Sequence, residues 1–313
     1  MNVQPEQTAP SAVRGLADEL QAPDTLRAPA SFWQRLLRSR VGVVSLMVVV
    51  LLLVAALFGP LLYPIDPTRA DFRSINAAPS LAHPLGTDRL GHDTLARLLA
   101  GLRVSLLVAA VVEVINILVG GLLGLLAGYF GGWVDTVIAR LADMVFAFPG
   151  LLLAILVGAV FGQWVTEHYG STARLVLVAA SLSLVGWPLM ARYVRGQTLS
   201  LRERDFVLAA RALGQREWGI LWHHILPNVA GLVITAATLD VVNAVVGEAT
   251  LSLLGLGIQS PATSIGKMIV EATPQLSQNA LLVLAPAVML AIIVLAFSFL
   301  GDGLRQAFNP GER

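Results

Sequence analysis

The chain has 313 residues, of which 56% are hydrophobic and only 13% charged, about half the 25% charged share of an ordinary soluble domain. So much apolar surface cannot be hidden inside a water-soluble fold of this size, and the chain is read as an integral membrane protein. The formal net charge of +1 argues against nucleic acid as a partner, and the absence of cysteine excludes disulfides, thiolate metal sites and a cysteine nucleophile.

Residues 1–40 read as a polar cytoplasmic tail without the charged start and short apolar core of a signal peptide. Residues 1–30 are expected to be disordered. Ser31 to Arg40 (SFWQRLLRSR) is basic and amphipathic, suited to lying on a membrane surface. Residues 41–313 are expected to form one transmembrane domain. A spanning helix needs about 20 apolar residues, and six stretches supply them: 41–62, 104–128, 144–165, 175–193, 229–251 and 280–301. The predicted fold class is therefore an all-α membrane protein with six transmembrane helices. With the N-terminus inside, fourteen Lys and Arg fall in cytoplasmic segments and seven outside, a bias that places both termini in the cytoplasm. Loop 63–103 is then external and loop 194–228 cytoplasmic.

In the external loop, glycine turns lead to Asp93, which is expected to cap a helix running from Thr94 into the second span. His83, Asp88, His92 and Asp93 are metal-ligand residue types, although shaping the outer mouth is the stronger expectation. Within the spans, Gly120, Gly121, Gly124 and Gly128 place small residues four apart, which favours close helix packing. Pro149, Pro188 and Pro286 also fall inside predicted spans, where they are expected to kink the helix for packing.

Intramembrane acids are functional candidates by default. Glu113 and Asp240 lie roughly 14 and 17 Å into their spans at 1.5 Å per residue, near the midplane. Two readings stand for them: they line a path and attract an amino group or cation, or they are satisfied within the bundle, Asp240 by Asn243 one turn on. Glu248 lies near the outer interface, and Asp143 is expected to pair with Arg140 at i, i+3.

Residues 209–228, AARALGQREWGILWHHILPN, are conspicuously polar for this chain. Arg202 to Leu226 reads as two short helices. In the first, Phe206, Ala209, Ala210 and Leu213 share a face, with Asp205 as its cap and Gly214 ending it through a positive φ. In the second, Trp218, Leu221, Trp222 and Ile225 form an apolar stripe, and Pro227 starts a new helix back into the membrane. An amphipathic helix on the lipid surface and a helix docked in a protein groove both fit; the small, alanine-lined face favours docking. His223 and His224 point to different faces.

AARALG followed by HILPN resembles the EAA loop of ABC importer permeases. Ala209, Ala210, Gly214, Leu226 and Pro227 match that pattern, while Leu208 stands where the general motif has Glu and His224 where it often has Ile. HPLGTDRLGHD (His83 to Asp93) resembles the HPLGTDxxGRD signature of the dipeptide/oligopeptide/nickel importers, with His92 in place of Arg. AGYFGGWVD (Ala127 to Asp135), Asp143 with its following AFP, GEATLSLLGLGIQSPATS (Gly247 to Ser264) and FSFLGDGLRQAFNP (Phe297 to Pro310) fit the same family, and the C-type permease within it. The resemblance covers roughly residues 35 to 310.

The resemblance implies a type I ABC importer permease fold in the cell inner membrane. It implies two ATPase subunits, a second permease completing a heterodimer, an external solute-binding protein and no cofactor. The cytoplasmic loop would be the coupling helix: Ala209 and Ala210 allow close approach to an ATPase, Gly214 the bend, and Arg211 and Glu217 polar contacts at the rim. Glu113, Asp240 and Asn243 are candidates for the translocation path, and Glu248 for a structural or gating role. No GxxxxGK[ST] pattern occurs, so the chain is expected to be no enzyme, with ATP hydrolysis performed by partners. The implied cargo is peptides or a related solute such as nickel complexes. The rival classes are a stand-alone proton-coupled transporter working through Glu113 and Asp240, and an intramembrane enzyme, for which no nucleophile with its base is evident.

Overall fold

A computed structural model describes residues 32–308; the tail expected over 1–30 lies outside them. Ten helices follow in chain order: α1 (Phe32–Arg38), α2 (Arg40–Leu62), α3 (Thr94–Phe130), α4 (Gly132–Phe146), α5 (Gly150–Tyr169), α6 (Ala173–Arg202), α7 (Asp205–Ala212), α8 (Glu217–Leu253), α9 (Ile265–Ala272) and α10 (Leu281–Phe308). Six of them, α2, α3, α5, α6, α8 and α10, are long and apolar enough to cross a membrane, and no strand occurs among the described residues. Residues 63–93 and 254–280 sit at one end of the bundle, called distal below; α4, α7 and the end of α10 sit at the other, called proximal.

The segment expected to lie on the membrane surface packs on the proximal end of α10. Leu36 is buried, the Phe32 ring lies 4.4 Å from that of Phe308, and Arg35 Nη1 donates to the Ala307 carbonyl at 3.4 Å. Gly303 makes room, because its missing Cβ would stand 3.1 Å from Gly42 Cα. Ser39 then breaks the chain and caps α2, its hydroxyl accepting from Gly42 N–H at 3.1 Å.

Several spans depart from their predicted limits, three of them for reasons that the contacts make plain. α3 starts at Thr94, ten residues before the apolar run, because Asp93 caps it (Ala96 N–H to Oδ1, 2.7 Å). Arg97 in its first turns is neutralised by Asp88 and Glu271, a contact that hydropathy cannot register. The third span begins at Gly150 rather than 144. Pro149 is no kink within it but lies in the break before it, since the residue ahead of a proline is pushed out of the helical region. Pro188 and Pro286 do lie inside α6 and α10. α8 is continuous from Glu217 to Leu253, but its regular α-helical stretch into the span starts at Leu226 with Pro227 in its first turn, as expected. A π-helical turn, Leu221–Ile225, takes up the proline's missing N–H, with Leu226 N–H bonded to Leu221 O and Asn228 Nδ2 donating to His224 O at 2.6 Å.

α3 and α6 pack through the glycine stripe. A Cβ on Gly120 or Gly124 would stand 2.4 Å from the Trp187 or Ala191 carbonyl, and one on Gly128 2.7 Å from Thr198 Cβ, whereas Gly121 faces nothing within 4 Å. Three of the four glycines therefore serve the close approach. Gly124→Val is expected to cost about 1–3 kcal/mol by overpacking and Gly121→Ala almost nothing, as read from the thermal midpoints of the two purified variants. Arg202 Nη1 reaches the Gly128 and Tyr129 carbonyls at 3.3 and 3.4 Å, occupying acceptors at the end of α3.

Candidate functional site

The proximal loop folds as sequence capping rules require at its C-terminus and differently at its N-terminus. Gly214 has φ +78° and closes α7 in a Schellman arrangement: Gln215 N–H bonds to Ala210 O at 3.1 Å and Gly214 N–H to Arg211 O at 3.0 Å. Asp205, expected as the cap, is the first helical residue; extended Arg204 occupies the cap position without a side-chain bond. Asp205 acts instead through its charge at the positive end of the helix.

Burial divides the predicted apolar face of α7. Val207 is fully buried and Ala210 is 8% exposed, both within one apolar cluster that also holds Ile220, Leu221 and Ile225 of α8, Leu125 of α3 and Val194 of α6. Ala209 turns outward with Phe206 and Leu213, the last 87% exposed. The second stripe divides likewise, with Leu221 and Ile225 buried and Trp218 and Trp222 about half exposed. The outer surface of the loop is thus a small-and-apolar patch on a helix whose inner side is welded to the bundle.

Arg211 and Glu217 face each other. Arg211 Nε lies 3.1 Å from Glu217 Oε1 and Nη2 3.2 Å from Oε2, and the Tyr129 hydroxyl donates to the same carboxylate. This triad ties α7 and the start of α8 to the end of α3, and Trp218 packs on Phe130 beside it at 5.2 Å between ring centroids. Tyr129 escaped the sequence reading, where it was only part of AGYFGGWVD. Tyr129→Phe is expected to weaken the tether by about 1 kcal/mol and to lower uptake several-fold without changing the amount of chain in the membrane.

Nearby, Asp135 of α4 makes a two-pronged bond to Arg195 of α6 at 2.5 and 2.7 Å. That bond, opposed by some burial, holds its carboxyl below the usual aspartate range. Asp143 pairs with Arg192 at 2.8 Å rather than with Arg140. The Arg192 guanidinium also lies 4.2 Å over the Phe146 ring, a contact available only once α4 folds back on α6.

Midway along the bundle the structure brings Glu113, Asp240 and Asn243 together and adds Asn116. Asp240 Oδ1 accepts from Asn243 Nδ2 at 2.8 Å and Oδ2 from Asn116 Nδ2 at 3.2 Å. Glu113, 6% exposed, turns toward Asp240 and Asn116, yet neither of its carboxyl oxygens meets a donor in bonding geometry. Gly186 provides the room, since a Cβ there would lie 2.5 Å from Asn116 Nδ2. Asp240 and Asn243 line a cleft of about 570 Å³ that continues past Thr235 to Arg305. Asn116 was legible as a polar residue one turn beyond Glu113 in an apolar run, and was missed.

At the distal end Glu248 is fully buried and accepts from three serines: Ser105 of α3 (3.2 Å), Ser252 of α8 (2.7 Å) and Ser264, the cap of α9 (2.7 Å). Ser105 Oγ also accepts Ile265 N–H at 3.1 Å. The four metal-ligand residues of the outer loop do not converge. His83 bonds Asp93 at 2.8 Å and His92 bonds Asp88 at 2.9 Å, and among the described residues no group of three or more His, Cys, Asp or Glu could hold an ion. Burial alone would raise Asp88, but donation by His92 and by backbone amides holds it below the ordinary aspartate range. Burial, together with the Asp93 carboxylate it donates to, pushes the Tyr63 phenol up to about 12.

The family model described as "Binding-protein-dependent transport system inner membrane component" matches residues 120–313, and one described as "N-terminal TM domain of oligopeptide transport permease C" matches residues 30–79. The chain is 38% identical to the glutathione transport system permease protein GsiD of Pectobacterium atrosepticum over 288 residues, 91% of this chain and 92% of that one. It is 36% identical to the oligopeptide transport system permease protein OppC of Mycobacterium tuberculosis over 280 residues, 90% and 94% of the two chains. Its fold is similar to a chain of the MetNI methionine ABC transporter in an inward-facing conformation, with TM-score 0.51 and 19% identity, covering 67% of this chain and 96% of that one. Six apolar spans, an ABC importer permease fold and two family models across the chain make one conclusion: this protein belongs to the inner-membrane components of binding-protein-dependent transport systems, as a multi-pass protein of the C-type permease group.

Proposed function

We propose that the chain is one of two permease subunits of a peptide importer, with α7 as its coupling helix. The observation that carries this reading is mechanical. The exposed Phe206, Ala209 and Leu213 sit on a helix whose other side is packed into the bundle, and the next helix runs without a break into the span that bears Asp240. A push on that outer surface by an ATPase subunit moving as a rigid body would reach the path without an intervening hinge. Gly214 supplies the bend, Ala209 the close approach, and Ala210 the inner packing. Arg211 and Glu217, with Tyr129, fasten the helix to α3.

In this reading both termini and α7 are cytoplasmic, the distal loop meets an external solute-binding protein, and the Asp240–Asn243 cleft belongs to the path shared with a second, different permease. Two ATPase subunits supply the energy. The peptide assignment follows the relatives, whose names state glutathione and oligopeptide transport. The test is uptake of radiolabelled glutathione and trialanine by cells expressing the whole system. Uptake is expected to vanish when the ATPases carry inactivating substitutions and to persist under a protonophore while ATP is maintained. Loss under the protonophore with ATP intact would make the chain a proton-coupled transporter instead.

A further inference from the structure

We propose that Glu113 keeps its proton and donates it to Asp240, so that the two acids form one intramembrane pair with a shared proton and a single negative charge. The Glu113 carboxyl is turned to Asp240 and Asn116, and among the described residues no charged group other than Asp240 acts on it. A carboxylate only accepts. As long as both acids are ionised, neither can donate to the other, and the two Glu113 oxygens are buried without a partner. Two facing carboxylates at this depth do not both keep their charge. One proton placed between them turns the repulsion into a hydrogen bond and needs no further group.

The surroundings decide which acid carries the proton. Asp240 Oδ1 accepts from Asn243 Nδ2 at 2.8 Å and Oδ2 from Asn116 Nδ2 at 3.2 Å, and amide donors of this kind favour the ionised form. Asp240 also lines a cleft of about 570 Å³, together with Arg305 of α10 and Tyr193 of α6. Water and a cation on that side favour charge on Asp240 as well. Glu113 has neither advantage. It is 6% exposed, lies outside that lining, and stands where burial favours the neutral carboxyl. The pair is therefore asymmetric, with a neutral acid inside the bundle and a carboxylate at the cleft. Glu113 is a positioning residue: its O–H fixes the Asp240 carboxylate from α3, as Asn243 fixes it from α8. On the reading that this cleft lies on the transport path, the cargo meets one negative charge there instead of two.

The experiment is infrared spectroscopy of the whole purified complex at neutral pH, without cargo or nucleotide. Protonated carboxyls absorb there apart from carboxylates and amides, and difference spectra between wild type and variants cancel every other acid. Glu113→Gln is expected to remove the intensity of one protonated carboxyl, and combining it with Asp240→Asn to remove no more. Asp240→Asn alone is expected to keep that band at a shifted frequency, because Glu113 stays buried and neutral but loses its carboxylate acceptor. This variant also decides the matter if Glu113→Gln fails to assemble. An undiminished band in Glu113→Gln, a further loss in the double variant, or disappearance of the band in Asp240→Asn would overturn the proposal. Because the spectra are read without cargo, failure of peptide uptake leaves the shared proton standing, and its absence leaves the peptide reading standing.

Discussion

Leu213→Asp is expected to leave the chain in the membrane in normal amount and to lower coupled uptake by about a hundredfold. Position 213 is 87% exposed and makes no internal packing, so the substitution belongs to the class that changes folding by at most about 0.5 kcal/mol. Docked against an apolar cleft of an ATPase, the same carboxylate would be buried without a partner, a penalty of about 3 kcal/mol or more, equivalent to two decades in binding. Leu213→Ala removes contact without adding charge and is expected to cost about tenfold or less. ATP hydrolysis by the reconstituted complex would lose its stimulation by loaded binding protein in Leu213→Asp while the basal rate persists. Uptake at half the wild-type rate or better would show that this face docks nothing. Ala210→Glu is a poor instrument for the same question, because Ala210 points into the bundle and the charge would disrupt the loop itself.

The second large effect concerns Glu248. Its carboxylate is the common acceptor for hydroxyls from α3, α8 and the cap of α9, and so clamps the distal end of the bundle. Glu248→Ala removes the charge-assisted bonds and leaves a cavity in a site with no exposure, together about 3 kcal/mol or more. The thermal midpoint of the purified complex is expected to fall by about 5 °C or more. Glu248→Gln keeps the volume but offers one acceptor and a new donor to three hydroxyl donors, so it should recover only part of the loss. Full stability of Glu248→Ala would refute the clamp and favour a mobile, gating carboxylate at this position.

Legibility in the sequence followed the range of the interaction responsible. Six spans were readable because spanning a membrane is a property of about 20 consecutive residues. The Asp93 cap and the Gly214 bend were readable because each is decided within four or five positions. The glycine stripe announced a close contact, and only the partner helix could tell that Gly121 faces away from it. Asp143 shows the opposite limit. Arg140 is its neighbour on the same helix, but Arg192 offers a carboxylate contact and an aromatic face from across the bundle. Likewise the inner side of α7 was misjudged because Val207 and Ala210 are buried by residues of α3, α6 and α8 far away in the chain. The candidate path was half legible: the acids declare themselves in an apolar run, whereas Asn116 and the room made by Gly186 appear only when α3, α6 and α8 are assembled.

The most direct measurement uses the absence of cysteine from the chain. Leu213→Cys, as the chain's single thiol, is to be crosslinked in native membranes with a short bifunctional maleimide, beside Leu81→Cys at a fully exposed position of the distal loop. A permease driven through α7 predicts that Leu213→Cys yields a crosslink to an ATPase subunit and resists membrane-impermeant maleimide added to intact cells, while Leu81→Cys is blocked by that reagent and never reaches the ATPase. Blocking of Leu213→Cys from outside the cell, or an ATPase crosslink from Leu81→Cys instead, would contradict it.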